Sequence, residues 1–281
     1  MPVRPKEAAT VILLRRCPPD DGGFEVLMVL RHPKSRFVPR AYVFPGGILD
    51  DEDTSAAMEE RIEGIDREGA FRILEDCPSP EIALGSWVAG IRETFEEVGI
   101  LLAYEAPGRW LVPGEGPAQE RLCRKRRLLF EGKLSFSRFL REERLTLACD
   151  RLLYYSHWIT PELLPLRYDV RFFVAEAPPG QRAFHDGVEL TRHIWIRPEK
   201  ALSRFREGAF DMVLPTLATM KELASRKTVD EVLAWAGKKT VQGILTRMEK
   251  TDEGIVEYMP DGTAFRNLPP SVVEDSSRKE N

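Results

Sequence analysis

Four charged residues, Arg92, Glu93, Glu96 and Glu97, stand close together in the segment RETFEE. On a helix, which turns by about 100° per residue, carboxylates at these spacings share an arc of about 100°. They repel one another, and near a helix C-terminus the backbone dipole adds roughly 0.3 to 1 kcal/mol of cost for each anion. Oxygen ligands of this kind favour hard cations, so the cluster indicates a Mg²⁺ or Mn²⁺ site. A solvated acidic face is the alternative interpretation.

The helix that would carry this cluster has well-marked ends. Ser79 is a suitable N-cap, Pro80 suits the first helical position, and Gly99 suits the residue after the last turn. Between them, apolar residues recur at spacings of three and four, as expected for one face packed against a core: Leu84, Trp87, Val88, Ile91, Phe95 and Val98. The sequence therefore predicts a helix over residues 80–98, with the acidic cluster away from its apolar stripe.

Other segments show the periodicities of strands and helices. Short apolar runs between turn formers predict strands, the first two of which would form a hairpin, over residues 8–14, 24–30, 41–44, 168–175 and 190–196. Helical spacing predicts further helices over residues 118–130, 135–144, 198–205, 214–224 and 229–236. Strands and helices thus alternate along the chain, which is typical of an α/β protein.

Residues 92–100, RETFEEVGI, resemble the second half of the Nudix box, G-x5-E-x7-R-E-U-x-E-E-x-G-U, in which U is aliphatic. The segment Phe44-Pro45-Gly46-Gly47 resembles the lead-in to the first half, with Gly47 as the box glycine. Three features depart from the pattern. Thr94 stands at an aliphatic position, Asp53 stands where the family has Glu, and a long insertion separates the two halves of the box.

An interrupted box is similar to the coenzyme A diphosphatase-like branch of the Nudix hydrolases, which residues 37–50 and 157–176 also resemble. This resemblance implies a Nudix-type α/β/α sandwich around a mixed β-sheet. The hydrolase domain would span residues 1–225, with mostly helical insertions at about 54–78 and 108–155. Residues 226–281 are predicted to form a C-terminal appendage with a helix, a hairpin near residues 259–262 and a polar tail.

The resemblance also implies a reaction and the roles of residues in it. Nudix enzymes cleave a nucleoside diphosphate linked to another moiety, by attack of water on the pyrophosphate with the help of Mg²⁺ or Mn²⁺. Glu93, Glu96 and Glu97 would be metal ligands together with the Gly47 carbonyl, and Arg92 would orient Glu93. Glu189, just before a predicted strand, is the first candidate for the general base and Glu93 the second. An exposed turn residue is the other interpretation of Glu189.

Arginine forks match the geometry of phosphate oxygens, and part of the coenzyme A signature of the family is present. The predicted substrate-binding residues are Arg31, Arg36, Phe44, Gly46 and Arg171. Each arginine taken alone is more typical of an ordinary surface position than of a phosphate contact. Coenzyme A or an acyl-coenzyme A is the leading substrate, but Val29, His32 and Arg40 depart from the signature. ADP-ribose, NADH and dinucleoside polyphosphates remain alternatives, as does a non-catalytic nucleotide- or RNA-binding protein.

Composition restricts the partners. The 41 basic and 45 acidic residues give a net charge of −4, which argues against a general polyanion binder, and the basic run at residues 121–127 is predicted to be a solvated helix face. Nucleic acid is therefore not an expected partner, while a homodimer is left open.

The four cysteines are far apart, which indicates neither a zinc site nor a disulfide framework. The first apolar run is too short for export or membrane insertion, so a cytoplasmic protein is expected.

Overall fold

The computed structural model describes residues 3–18, 20–35, 37–184, 190–252 and 254–266. Its strands are β1 (Lys6–Arg16), β2 (Phe24–Arg31), β3 (Tyr42–Val43), β4 (Gly46–Ile48), β5 (Ile62–Glu63), β6 (Ala103–Ala106), β7 (Arg109–Trp110), β8 (Thr146–Ala148), β9 (Leu153–Ile159), β10 (Tyr168–Glu176), β11 (Leu190–Ile196), β12 (Gly243–Leu245), β13 (Arg247–Thr251), β14 (Gly254–Tyr258) and β15 (Ala264–Phe265). Its helices are α1 (Ala56–Glu59), α2 (Arg67–Ile73), α3 (Pro80–Val98), α4 (Pro117–Phe130), α5 (Phe136–Glu143), α6 (Pro198–Arg206), α7 (Leu214–Leu223) and α8 (Val229–Ala236), with 3-10 turns at Asp51–Thr54 and Cys149–Arg151.

A mixed sheet forms the centre of the molecule, in the strand order β11-β2-β1-β10-β9-β12, with β3 on β2 and β4 on β1. Strands β1 and β10 run parallel, whereas β1 and β2 form the predicted antiparallel hairpin. Successive side chains of a strand point to opposite faces. On β1, Val11 and Leu13 enter one core, and Ile12 and Leu14 enter another. The central strand is therefore buried on both sides.

Helices cover both faces of this sheet. On one face lies α3, whose Trp87 contacts Phe173 of β10 with ring centroids 4.5 Å apart. On the other face, α6, α7 and α8 contribute Ala201, Leu217 and Val232 to the second core. The predicted α/β/α sandwich is confirmed. In the described residues no helix is long and apolar enough to span a membrane.

Helix α3 begins and ends where the sequence predicts. The Ser79 hydroxyl accepts a hydrogen bond from the Ile82 amide at 3.3 Å, and Gly99 takes the left-handed conformation, with φ of 72°, that ends the helix. Thr94, at a position that is aliphatic in the Nudix box, is fully buried, and its hydroxyl donates to the Gly90 carbonyl at 2.7 Å. The helix therefore satisfies this hydroxyl itself, and Thr94 can replace an aliphatic residue.

The two insertions differ from the mostly helical expectation. Besides α1, α2, α4 and α5 they contain the short strands β5, β7 and β8, which form a second sheet with β6 in the order β5-β8-β6-β7. They also contact each other, because β5 of the first insertion pairs in parallel with β8 of the second, with Ile62 opposite Leu147 and Glu63 opposite Ala148. The two insertions thus form a single layer that packs against α3.

The segment after residue 225 is part of the main body as far as the structure describes it. Helix α8 lies where it was predicted and packs into the second core, and β12 adds a strand to the central sheet beside β9. The predicted hairpin is present, since the turn at residues 259–262 connects β14 to β15. The polar tail lies outside the described residues. Residues 226–266 are therefore built into the fold and are not a separate appendage.

Candidate active site

The acidic side of α3 lies against the short strand β4. The Gly46 amide donates a hydrogen bond to Glu97 Oε2 at 2.9 Å. A Cβ atom on Gly47 would lie only 2.4 Å from Glu93 Cδ, and one on Gly46 would lie 2.3 Å from the Ala9 carbonyl oxygen. Both glycines are therefore needed for close approach, which brings the two halves of the interrupted motif together.

Arg92 connects the elements around this contact. Its Nε and Nη2 atoms donate to the two carboxylate oxygens of Asp53, each at 2.9 Å, and its Nη1 donates to Glu93 Oε1 at 3.0 Å. Nη2 also donates to the Ile48 carbonyl at 2.9 Å. A bidentate pair of this kind fixes the plane of the guanidinium. Arg92 is thus held by Asp53 on one side and contacts Glu93 on the other.

Asp53, which stands where the family has Glu, lies beside Arg92 in the structure. Its side chain is 0% exposed, and its Oδ2 also accepts a hydrogen bond from the Asp50 amide at 2.9 Å, which closes the first 3-10 turn. The insertion begins directly after this turn. Asp53 can therefore pair with Arg92 whatever the length of chain between them, because the partners meet through α3 and β4 rather than through sequence spacing.

Burial and like charges shift the protonation of the acidic residues. Burial raises the pKa of Glu93 from 4.5 to about 7, with Arg92 opposing and Glu96 adding to the rise. Burial also raises the pKa of Glu96, with Arg92 again acting in the opposite direction. The site therefore carries more negative charge than its surroundings stabilise, which is the electrostatic condition for binding a cation.

The raised pKa of Glu93 makes the stability of the metal-free protein depend on pH. Because the folded state binds the proton more tightly than the unfolded state, this residue's contribution is full below about pH 4.5 and is lost as the pH rises to about 7. Glu93→Gln cannot ionise, so its free energy of unfolding should not fall in this way. Between pH 4.5 and 8 we expect the difference in free energy of unfolding, variant minus wild type, to increase by about 1 to 3 kcal/mol. Urea unfolding with a chelator measures this. An equal pH dependence in both proteins would contradict the assignment.

The carboxylates of α3 are suitable ligands for a hard divalent cation, but their oxygens do not converge on one position in the structure. Within the described ranges, no three His, Cys, Asp or Glu side chains are arranged to hold an ion. Glu93 Oε1 faces Arg92, Glu97 Oε2 faces the Gly46 amide, and Glu96 Oε2 lies 3.7 Å from Arg92 Nη1. All three carboxylates line one cavity, and carboxylate oxygens are ligands that Mg²⁺ and Mn²⁺ prefer.

This cavity has a volume of about 520 Å³ and two chemically different parts. The carboxylates of α3 and Asp50 form an acidic part beside Gly46 and Gly47. The remaining wall is largely apolar and includes Phe37, Phe44, Trp158, Leu164, Phe172 and Met248. Such a cavity suits a ligand with a charged group at one end and an uncharged chain at the other.

Some predicted substrate residues lie at this cavity. Phe44 and Gly46 line it, and Arg31 does so with an Nε that is buried without a hydrogen-bond partner among the described residues. Buried donors of this kind are normally paired. Arg31 is therefore a suitable contact for an anionic group of a ligand.

Arg171 does not lie at the cavity. Strand alternation sends Val170 and Phe172 toward it and turns Arg171 to the opposite face of β10, where the side chain is 1% exposed. There Arg171 donates to Asp169 Oδ1 at 2.6 Å and also pairs with Glu7. The predicted phosphate contact is thus replaced by a buried ion-pair cluster. Arg36 and Glu189 lie outside the described residues.

The cavity also contains residues that the sequence did not single out. Trp158 of β9, Thr246 and Glu257 of β14 all line it. Trp158 belongs to the segment 157–176, which the sequence analysis used only for its resemblance to the family. The alternation of side chains along a strand was the signal that could have placed Trp158 on the same face as other cavity residues. The chain after residue 225 carried no motif that could have indicated Glu257.

Three of the five basic residues in the run on α4 contact other protein groups. Arg121 Nε lies 2.9 Å from Glu143, and Lys125 contacts Glu142 of α5. Arg126 Nε donates to the Glu96 carbonyl at 2.9 Å, near the C-terminus of α3. These contacts fit the interpretation of a balanced helix face that supports the acidic helix.

Comparison with known proteins agrees with this geometry. Residues 5–223 match the NUDT19 Nudix domain. The acyl-coenzyme A diphosphatase NUDT19 of Gallus gallus is 27% identical over 94% of this chain and 80% of its own length, and that of Homo sapiens is 27% identical over 94% and 76%. The crystal structure of a NUDIX hydrolase from Alicyclobacillus acidocaldarius is similar, with a TM-score of 0.63 and 25% identity over 83% of this chain and 97% of that one.

The fold and the match together define a Nudix hydrolase. The chain belongs to the NUDT19 Nudix domain family. The prediction of a Nudix enzyme with an insertion inside its box is thereby confirmed, and Nudix hydrolases generally require divalent metal ions.

Proposed function

We propose that this enzyme hydrolyses the pyrophosphate of coenzyme A or an acyl-coenzyme A, releasing 3′,5′-ADP and phosphopantetheine or its acylated form. One observation carries the proposal. A single cavity of about 520 Å³ has the carboxylates of α3 in one part and an extended apolar wall in the rest. The names of the relatives from Gallus gallus and Homo sapiens, acyl-coenzyme A diphosphatases, support the same substrate class.

The chemistry would divide among residues on α3 and β4. Glu93 and Glu97 would hold Mg²⁺ or Mn²⁺, with Glu96 and the Gly47 carbonyl as further ligands. When bound, the metal would supply charge stabilisation for the phosphoryl oxygens and would lower the pKa of the attacking water. Arg92 keeps Glu93 in position through its hydrogen bond at 3.0 Å, while Asp53 fixes Arg92 from behind. These residues therefore provide binding and orientation for the metal.

A general base takes a proton from the attacking water as the new P–O bond forms and the bridging P–O bond breaks. Glu189 remains the first candidate. Glu93 is the second, and its carboxylate lines the same cavity as Glu96 and Glu97. Replacement of each by glutamine, followed over pH, distinguishes them. The true base is the one whose loss removes the acidic limb of the kcat profile while metal binding is retained.

The test of the proposed function is a substrate panel with the full chain. Coenzyme A, an acyl-coenzyme A, ADP-ribose, NADH and a dinucleoside polyphosphate are each incubated with Mg²⁺, with Mn²⁺ and with a chelator, and the products are identified by mass spectrometry. We expect the highest kcat/KM for a coenzyme A compound, with no turnover under chelation. A higher kcat/KM for ADP-ribose or NADH would refute the substrate class, and no turnover of any compound would refute catalysis.

Arg31 provides a more local test. A hydrogen bond to a charged group contributes about 1.5 to 3 kcal/mol, so Arg31→Ala is expected to raise the KM for coenzyme A by roughly 10- to 100-fold. Arg127→Ala, an exposed arginine on α4, is the matched control and should change KM by less than about twofold. Steady-state kinetics measures both. Equal KM values for the two variants would remove Arg31 from the substrate site.

A further inference from the structure

The hairpin formed by strands β13 and β14 forms one wall of the cavity. Strands β13 and β14 pair with Met248 opposite Glu257, and residues paired in this way share a face of the sheet. Thr246, two positions before Met248, lies on that same face, and all three line the cavity. A segment outside the family match at residues 5–223 therefore contributes to the substrate site.

Glu257 is an unusual residue for such a wall. It is 6% exposed, and its Oε1 accepts a hydrogen bond from the Thr246 hydroxyl at 2.5 Å, which leaves Oε2 for a ligand. Burial raises the pKa of Glu257, with the Thr246 hydrogen bond opposing. A buried carboxyl group without a cationic partner is costly unless its hydrogen-bonding capacity is used. The side chain is therefore suited to exchange hydrogen bonds with an uncharged polar group.

Trp158 supplies a second polar atom in the same wall. It is 6% exposed, and its indole N–H is buried without a hydrogen-bond partner in the part of the chain that the structure describes. Strand pairing places Trp158 opposite Ile244 of β12, two residues before Thr246, and Trp158, Thr246 and Glu257 all line the same cavity. Buried tryptophan N–H groups usually find an acceptor. A ligand carbonyl oxygen in the cavity would satisfy this donor.

We infer that Trp158 and Glu257 form a binding site for the amide groups of an uncharged chain, which in the substrate would be the pantetheine arm. The inference rests on the proposed function and deepens it. An amide offers a carbonyl acceptor for the Trp158 N–H and an N–H or carbonyl for the Glu257 carboxyl group. The methylene and methyl groups beside it match the apolar wall formed by Met248, Leu164 and Phe172. A second phosphate in this part of the cavity would instead meet a carboxyl group.

Titration calorimetry of the full chain with the two product halves separates arm binding from nucleotide binding. Trp158→Phe and Glu257→Leu are expected to weaken the binding of 4′-phosphopantetheine by about tenfold, and to change the binding of 3′,5′-ADP by less than twofold. Glu257→Gln, which keeps the hydrogen-bonding capacity, should bind 4′-phosphopantetheine within about threefold of wild type. Glu249→Leu is the matched control, because Glu249 pairs with Val256 on the other face of the same hairpin.

The outcomes separate this inference from the proposed function. Wild-type affinity for 4′-phosphopantetheine in both removal variants overturns the inference, and so does an equal loss for both product halves, which would mean a general disturbance of the fold. If wild-type protein hydrolyses coenzyme A while the variants bind like wild type, only the inference fails. If wild-type protein does not hydrolyse coenzyme A with Mg²⁺ or Mn²⁺, the proposed function fails, and the inference fails with it.

Discussion

Replacement of Glu97 by glutamine is expected to lower kcat by at least about 10³-fold while the protein stays folded. The metal-ion contribution to such a reaction amounts to several kcal/mol, and each 1.36 kcal/mol corresponds to a factor of ten in rate. Glutamine keeps a carbonyl oxygen that can accept the hydrogen bond from the Gly46 amide, seen here at 2.9 Å. The variant therefore removes the charge and preserves the contact between α3 and β4.

The measurement is kcat for coenzyme A with saturating Mg²⁺, together with the thermal unfolding midpoint. Glu81→Gln is the matched control, since Glu81 lies in the first turn of the same helix with a side chain that is 46% exposed. It should retain kcat within about twofold. A Glu97→Gln enzyme with more than a tenth of wild-type kcat would exclude Glu97 as a ligand for the catalytic metal.

Replacement of Asp53 by alanine is expected to destabilise the fold by about 3 kcal/mol or more. Removal of one partner of a buried ion pair leaves the other charge uncompensated, and such changes cost roughly 3 to 5 kcal/mol. Here the guanidinium of Arg92, whose side chain is only 6% exposed, would lose both hydrogen bonds to Asp53 and keep those to Glu93 and the Ile48 carbonyl. Activity should fall as well, because Arg92 would lose the bidentate contact that holds it beside Glu93.

Urea unfolding at pH 7 measures the first effect, and Asp50→Ala is the control. Asp50 also faces Arg92, at 3.6 Å, but its side chain is 68% exposed, so its loss should cost less than about 1 kcal/mol. Similar destabilisation by the two variants would mean that the first 3-10 turn, rather than the pair with Arg92, accounts for the role of Asp53. A destabilised Asp53→Ala protein with normal kcat would show that the pair serves the fold alone.

The pair between Asp53 and Arg92 also explains how the motif tolerates an insertion. The two residues are 39 positions apart in the sequence, yet both hydrogen bonds between them are 2.9 Å long. The intervening chain leaves from a 3-10 turn and returns to the N-terminus of α3, and it packs as a layer on that helix. Its closure adds loop entropy that grows only slowly with length. An insertion at this point therefore leaves the geometry around Glu93 unchanged.

The sequence alone was sufficient for features that depend on neighbouring residues. The ends of α3 follow from Ser79, Pro80 and Gly99, and the grouping of carboxylates on its acidic side follows from helical spacing. The main strands and helices, and with the family resemblance the α/β/α arrangement, were predicted for the same reason. Each of these features depends on local backbone preferences and on a periodic pattern of burial, and both can be recognised in a short stretch of sequence.

Tertiary structure alone decided which distant residues meet. It brought Asp53 to Arg92, turned Arg171 away from the cavity and placed Glu257 in its wall. Short strands such as β12 and β13 carry too few residues for a periodic signal, and the face on which a strand residue points depends on register, which changes with a shift of one residue. Contacts between distant segments arise from the packing of whole elements, so no local pattern encodes them.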